Sequence, residues 1–546
     1  MPDSPRIILD LDLPVSYESD DALKRIVANR LGMGADELRS VQLLRRSLDA
    51  RRRRFRYRAR VEVELADAAC RERALQRPGA GPLPGAPQVP DQRIVEGLQR
   101  GNRSLGAPPL IVGSGPAGLF AAWLLSEYGF QPIVLERGNR VEQRVRDVRR
   151  FEQSGEFDPE SNILFGEGGA GTFSDGKLTC RTKSPVKRAL FQLMVDCKAP
   201  EDILYQAKAH IGTDRLRAVL VHLRRLLEAR GVQFRFATRM DDLILDEAGA
   251  IRGLRLQDGE ELLSEVVLLG IGHSARDSYA MLQDRGVEMA FKPFQLGLRI
   301  EHPQPFVDGF RYGAEALGLQ LPTAEYSVKA KALGTELFSF CMCPGGTIVP
   351  SVSQPGFLST NGMSRRNRDS GWANSGLVYT VDLKETDGID ALAGVRLQER
   401  LEARAFEMGV GYQVPTQRAS DFLAQRLSKG LVETTYPLGH VMADLREFLP
   451  GIGASLMGEA LKTFQRRFPG FAGNDAVLVG PETRGSAPLR MPRELDSRES
   501  VSTPGLYPIG EGAGFAGGIV SAALDGVRSA RVIVEAFAPA GSNPGK

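Results

Sequence analysis

Leu110-Ile111-Val112-Gly113-Ser114-Gly115-Pro116-Ala117-Gly118 is an apolar run that enters a G-x-G-x-x-G turn. Leu119 to Tyr128 then carries a helical pattern, and Pro132-Ile133-Val134-Leu135-Glu136 is a second apolar run that ends in an acid. Strand, glycine turn, helix, strand and acid in that order make a βαβ unit built for a dinucleotide. Gly113 allows the tight turn, Gly115 lets backbone approach a pyrophosphate, and Gly118 lets helix and strand pack closely. The helix N-terminus at Pro116 and Ala117 faces the phosphates. Glu136, 18 residues after Gly118 and followed by Arg137, is expected to accept from a ribose hydroxyl.

The far end of the chain selects the dinucleotide. Leu506-Tyr507-Pro508-Ile509-Gly510-Glu511 is a late strand ending in an acid, and Gly518-Ile519 leads into a helical stretch, Val520 to Gly526. A simple NAD dehydrogenase needs neither. In a flavoprotein the acid holds the ribityl or pyrophosphate region, and the second helix dipole stabilises the negative charge of reduced flavin. Val266 to Ser274 is a third strand, ending in the small residues around Gly272, where such folds return from a β-meander. FAD is therefore the expected cofactor.

Hydrophobic content of 42% and charged content of 25% are ordinary for a globular chain, and 546 residues suggest about three domains. The sequence has no run of about 18 apolar residues, so no transmembrane segment is expected. The start, Met1-Pro2-Asp3-Ser4-Pro5-Arg6, lacks the apolar core of a signal peptide. Five cysteines form no disulfide framework, which fits a reducing, cytoplasmic setting. A net charge of +3 implies no polyanionic partner, and the five histidines show no metal-ligand spacing. No metal and no nucleic acid are expected.

The fold class is α/β: a Rossmann-like FAD-binding domain with an inserted α+β substrate domain and a small N-terminal α/β module. The module covers 1–76. Its parts are a strand over Ile7–Leu13, a helix capped by Ser19 and stopped at Gly32, and strands near 41–44 and 55–65. A Pro/Gly-rich linker follows over 77–109. The FAD domain takes 110–289 and 481–540, and 290–480 is the insertion. Thr213-Asp214 is read as the cap of a helix to Arg230, and residues near Met240 as backbone that meets adenine. The basic run Arg51-Arg52-Arg53-Arg54 with Phe55 and Tyr57 is open to two readings, a nucleic-acid patch or the solvated turn of a hairpin.

Four stretches carry candidate chemistry. Asn162 to Leu178 is dense in glycine (Gly166, Gly168, Gly169, Gly171) and flanked by Phe165 and Phe173, so Gly168, Gly169, Gly171 and Thr172 are expected to contact cofactor or substrate. Lys177 at its end is either near the flavin or on the surface. Cys341 and Cys343 have one residue between them and would share one side of an extended strand. They are either a redox dithiol or two small apolar residues lining a pocket, and they are not the helix-borne C-x-x-C that lowers a thiol pKa. Arg299, on an apolar strand, needs a partner if buried: a substrate carboxylate or a structural acid. Around Arg365, Arg366, Arg368 and Trp372, the amides of Asn361 and Asn374 line a substrate mouth or make loops. No residue announces itself as the catalytic base. Lys177, Cys341 and His273 are the candidates, with His440 and Tyr436 behind them.

With these residues in hand, the chain resembles a widespread family of uncharacterised FAD-dependent dehydrogenases. The matching stretches are Arg46–Arg51, Val112–Gly118, Asn162–Leu178, His210–Asp214, Gly272–Asp277, Phe340–Gly346, Asn361–Ser364 and Gly510–Asp525. The resemblance implies the two-dinucleotide FAD fold with its inserted domain, and it brings no substrate. Such flavoproteins usually have Asp where this chain has Glu511. The expected activity is transfer of a hydride or electron pair between a small organic substrate and non-covalent FAD. Two alternatives stay open. One is a flavin reductase or monooxygenase fed by NAD(P)H as a transient donor, although no second G-x-G-x-x-G unit is apparent. The other is a flavin-containing binding or sensing protein using the basic N-terminal module.

Overall fold

The computed structural model describes residues 5–541 apart from 18, 84–96, 317, 387 and 431, so much of the expected linker lies outside the described residues. Five parallel strands form the central sheet, in the order Leu506–Pro508, Val267–Leu269, Leu110–Val112, Ile133–Leu135, Gln233–Arg235. Ile111, Val134 and Leu268 point into a helical layer, and Leu110, Val112, Leu135, Val267 and Leu269 point the other way, toward a three-stranded meander. Both faces are covered, which is why these strands read as unbroken apolar runs and not as alternation.

The helix Pro116–Glu127 is buried from Ala117 to Ser126 and lies against Ile519–Ala536, the helix that follows the last strand of the sheet. The two backbones approach so closely at Gly526 that a Cβ there would lie 2.0 Å from the Ala117 carbonyl oxygen. Helix Thr213–Ala229 completes this side, with a correction to its start. Gly212 is the N-cap; the Thr213 hydroxyl donates to the Thr172 carbonyl at 2.7 Å, and Asp214 accepts from the Arg366 amide. Both side chains are drawn to other segments, so neither caps.

The chain leaves this sheet to build a seven-stranded one: Lys329–Ala332, Thr335–Cys343, Trp372–Val381, Phe294–Pro303, Val477–Glu482, Val414–Arg418, His440–Met442. Its neighbours are antiparallel except the last pair. Helices Ala393–Met408 and Gly453–Arg467 cover it through Leu397, Leu401, Leu456 and Leu461.

The N-terminal module is a four-stranded sheet, Leu38–Asp49, Arg56–Leu65, Arg6–Pro14, Ala80–Pro82. The fourth strand comes from inside the stretch read as linker. Helix Asp20–Leu31 is capped by Ser19 and ended by Gly32 at φ 68°, as its sequence implies. The module docks on the rest of the chain through Arg46, whose backbone exchanges hydrogen bonds with Tyr205 and Ala207, and through Phe55 against Tyr312. In the basic run, Arg51 is paired with Asp49 and Arg53 with Glu315.

Two glycine substitutions separate close approach from helix propensity. Gly526→Ala forces apart two packed helices and is expected to cost about 1–3 kcal/mol or more. Gly458, inside helix Gly453–Arg467, would meet nothing within 4 Å, and Gly458→Ala is expected to stabilise by about 1 kcal/mol. Denaturant unfolding of the two variants should move the midpoint in opposite directions.

Candidate active site

A cavity of about 460 Å³ opens where the strands of the parallel sheet end. It is the crevice such sheets offer to ligands. The turn after Leu110–Val112 forms its floor. Gly113, at φ 98°, packs so tightly that a Cβ would lie 2.3 Å from the Gly270 carbonyl, and one on Gly118 would lie 2.0 Å from the carbonyl of Gly113. Gly115 is different. Its φ of −70° suits any residue, and an added Cβ would come no nearer to the chain than 3.9 Å. The space such a Cβ would take belongs to the cavity, so the packing of the fold does not require glycine there. Pro116, Ala117, Gly518 and Ile519 also line the cavity, so two helices begin at its wall with their amides and dipoles available to an anion.

The glycine loop is held from behind by a residue that its sequence context does not reveal. Arg144, on helix Val141–Ser154, has no exposure and donates to the carbonyls of Asn162, Ile163, Gly166, Glu167 and Gly169 at 2.7–3.1 Å. Burial pushes its pKa down to about 10, which still leaves it charged. Gly169 and Gly171 thereby reach the cavity. Gly168 and Thr172 do not; Thr172 is buried and donates to the Glu167 carbonyl, so both support the loop from its far side. Gly118 likewise acts only in packing.

Glu136 and Arg137 line the cavity, but the carboxylate of Glu136 is already occupied. One oxygen accepts from the amide and hydroxyl of Ser114, the other from the amides of Gly138 and Gly166, at 2.7–3.0 Å. A ribose hydroxyl has to share with or replace the Ser114 hydroxyl, the one donor of the four that rotates freely. Glu511 borders the opposite side, accepts from the Ala487 amide at 2.8 Å, and has its pKa raised by burial. The turn around Gly510 is held by Asp525, which accepts from the Gly510 amide at 2.8 Å and pairs with Arg493 and Arg498. Met240 and Gly272 line the cavity as well.

Phe340, Cys341 and Asn361 of the inserted domain close the remaining side, with Arg484, which follows strand Val477–Glu482 of the seven-stranded sheet. Lys177, from the end of the glycine loop, pairs with buried Asp175 at 2.9 Å and donates to the Met342 carbonyl. Burial opposes its charge, but Cys343, Cys341 and Asp175 outweigh that and raise its pKa, so it stays an ammonium. His273 is pushed down to about 4 by burial and by Arg484 and Arg276, and its Nδ1 lies 2.9 Å from the Ser274 hydroxyl. It is a neutral and weak base. Cys341 has its pKa lowered, chiefly by a hydrogen bond from the Cys343 thiol and then by Lys177 and Arg299. The expectation of a regular strand through the two cysteines fails: pairing slips between Phe340 and Cys343, and Cys341 sits at φ 44°. His440 and Tyr436 are not among the lining residues; Tyr436 is buried, with its hydroxyl on the Tyr412 carbonyl. Arg299 has a structural acid, Glu482, at 2.8 Å and donates to Asn374 and Asn361.

A buried carboxylate adds to the links between the two domains. Glu402, from helix Ala393–Met408, has no exposure and accepts from Arg276, which follows strand Val267–Leu269 of the parallel sheet, and from Arg484 in the cavity wall. Arg276 adds Gln398 and Gln354. Neither arginine nor Glu402 stands out in the sequence, because their value lies in meeting one another across distances of 126 and 82 residues.

Comparison with known proteins agrees with this architecture. Residues 293–485 match the model of the FAD-dependent protein C-terminal domain, 111–170 that of an NAD(P)-binding Rossmann-like domain, and 5–64 a domain of unknown function. A protein of Clostridium beijerinckii described only as uncharacterised is 37% identical over 535 residues, which is 96% of this chain and 98% of that one. A thiamine thiazole synthase of Aeropyrum pernix is 28% identical over 215 residues, 37% of this chain and 67% of its own. Among solved structures, the L-proline dehydrogenase from P. horikoshii aligns with a TM-score of 0.36 at 10% identity, covering 79% of this chain and 94% of its own. The fold and cavity define an FAD-dependent oxidoreductase. The chain belongs to the family of FAD-dependent, two-dinucleotide-fold oxidoreductases that carry this C-terminal domain.

Removing the carboxylate that joins the domains tests their coupling. Glu402→Gln leaves two buried guanidinium groups without their counter-charge and is expected to cost about 3–5 kcal/mol. Its neighbours hold the Glu402 pKa at about 2 against an ordinary 4.5. A carboxylate depressed on folding stabilises above its unfolded pKa and stops doing so as pH falls through the folded one. The stability gap between the parent and Glu402→Gln should therefore be full above about pH 4.5 and close toward pH 2, read by denaturant unfolding at each pH.

Proposed function

We propose that the chain is a dehydrogenase, passing a hydride or electron pair from a small organic substrate to non-covalently bound FAD. The observation that supports this most is the continuity of one cavity, from the two helix N-termini at Pro116 and Ile519 to the wall that the inserted domain contributes. The contacts proposed for FAD are Gly113, Gly115, Pro116, Ala117, Glu136, Arg137, Gly169, Gly171, Met240, Gly272, Gly510, Glu511, Gly518 and Ile519. When bound there, FAD supplies the two-electron acceptor. The chain's own residues do the rest. The helix beginning at Ile519 offers positive potential at the cavity, suited to charge that grows on reduction. Lys177 is a fixed cation and can hold an anionic group of the substrate. His273 is neutral and weakly basic, so a proton released with the hydride leaves to water without a dedicated base. The Arg276–Glu402–Arg484 cluster keeps the wall in place.

The same reading puts the reaction in a reducing, cytoplasmic setting with a small-molecule substrate. An absorption spectrum followed by anaerobic addition of NADH, NADPH and a metabolite panel tests it. The expected result is a yellow protein whose flavin bleaches with one metabolite class and not with either nicotinamide. Bleaching by NADPH alone would replace the dehydrogenase reading with a reductase or monooxygenase.

A further inference from the structure

Strand Thr335–Cys343 breaks where it reaches the cavity. Phe340 pairs with Gly376 and Cys343 with Asn374, so the residues between them bulge out of register. Cys341 sits on the bulge at φ 44°, a left-handed conformation that costs a residue bearing a side chain about 1–3 kcal/mol. The bulge places Cys341 in the cavity wall, while Cys343 is fully buried behind it. Both cysteines are free thiols, and the Cys343 thiol donates to the Cys341 carbonyl oxygen at 3.3 Å.

Two cations converge on this pair. Lys177 donates to the carbonyl of Met342, the residue between the two cysteines, and the buried guanidinium of Arg299 lies on the other side, within 3.5 Å of the Cys341 carbonyl. Small apolar wall residues have no use for a strained backbone or for two cations set beside them. A thiolate at Cys341 uses both, and a low-pKa thiol with a second thiol against it is the arrangement that exchanges electrons through a disulfide. Cys341 faces the ligand and Cys343 resolves it from inside.

We propose that Cys341 and Cys343 are a redox-active dithiol that exchanges an electron pair with the FAD held in the same cavity. In the oxidising direction a sulfur–sulfur bond forms between the two residues and the Cys343 S–H bond breaks. Its proton and the electron pair pass to the flavin: thiolate, thiol and FAD give disulfide and FADH⁻, with one hydrogen and one negative charge on each side. The pair thus stores a second set of reducing equivalents beside the flavin. This rests on FAD occupying the cavity, and it is independent of which metabolite the enzyme oxidises.

The test is an anaerobic dithionite titration of the FAD-loaded protein after mild oxidation with diamide, followed by the flavin spectrum. Alkylation and mass spectrometry at each stage report the thiols. The parent protein is expected to take up four electrons per FAD, and Cys343→Ser two. The peptide holding both cysteines should be two hydrogens lighter and resist alkylation until reduced. Before oxidation, a long-wavelength charge-transfer band from thiolate to flavin is expected, lost in Cys341→Ser. Uptake of two electrons by the parent, with both cysteines alkylated in every state, would overturn the proposal, and the parent alone decides this even where a variant fails to fold. Metabolite bleaching read on the same samples separates the two ideas: bleaching that persists with two-electron uptake sinks the dithiol and spares the dehydrogenase.

Discussion

Glu402 is the constraint on which the working arrangement of this protein depends. A carboxylate with no exposure costs several kcal/mol to desolvate unless it is fully paired. Here it meets two guanidinium groups, Arg276 from the FAD fold and Arg484 from just after strand Val477–Glu482 of the seven-stranded sheet. Each arginine is itself almost wholly buried, so none of the three groups tolerates the loss of the others. The consequence is geometric. The pairing ties helix Ala393–Met408 of the inserted domain to Arg276 of the FAD fold and holds Arg484 in the cavity wall.

A similar device organises the floor. The loop from Asn162 to Thr172 is too rich in glycine to hold its own shape, since each glycine adds conformational freedom to be lost on folding. Arg144 replaces that missing rigidity with a fan of hydrogen bonds to five carbonyls of the loop. Gly169 and Gly171 are thus presented to the cavity with little flexibility left. The two arginine-centred clusters divide the labour: Arg144 shapes the loop, and the Glu402 cluster sets the wall that faces it.

Much of this is legible from local pattern. The order of strand, glycine turn, helix and acid at 110–136 depends on contacts within one βαβ unit, and the structure builds that unit there. Ser19 and Gly32 bracket a helix for reasons internal to that helix. Local pattern misleads where a side chain has a better partner elsewhere. Thr213 and Asp214 look like a cap, but Thr172 and Arg366 claim them. Thr172 looks like a ligand contact, yet it closes its own loop from behind. The regular strand expected through Cys341 and Cys343 is interrupted by a register slip, which carries Cys341 into the cavity wall with Cys343 still beside it.

Reading along the chain suffices for the dinucleotide fold and for the positions where backbone must come close to backbone. Those are short-range properties: periodicity, turn geometry and the absence of a Cβ act within a few residues. Which charges are buried together, and which side chains meet at the cavity, emerges with the assembled fold. Arg276, Glu402 and Arg484, or Lys177 with Cys341 and Cys343, are scattered residues in sequence and become a site when the inserted domain folds back on the parallel sheet. The physical reason is that burial makes an isolated charge costly and a matched one strong, and burial is a property of the whole fold.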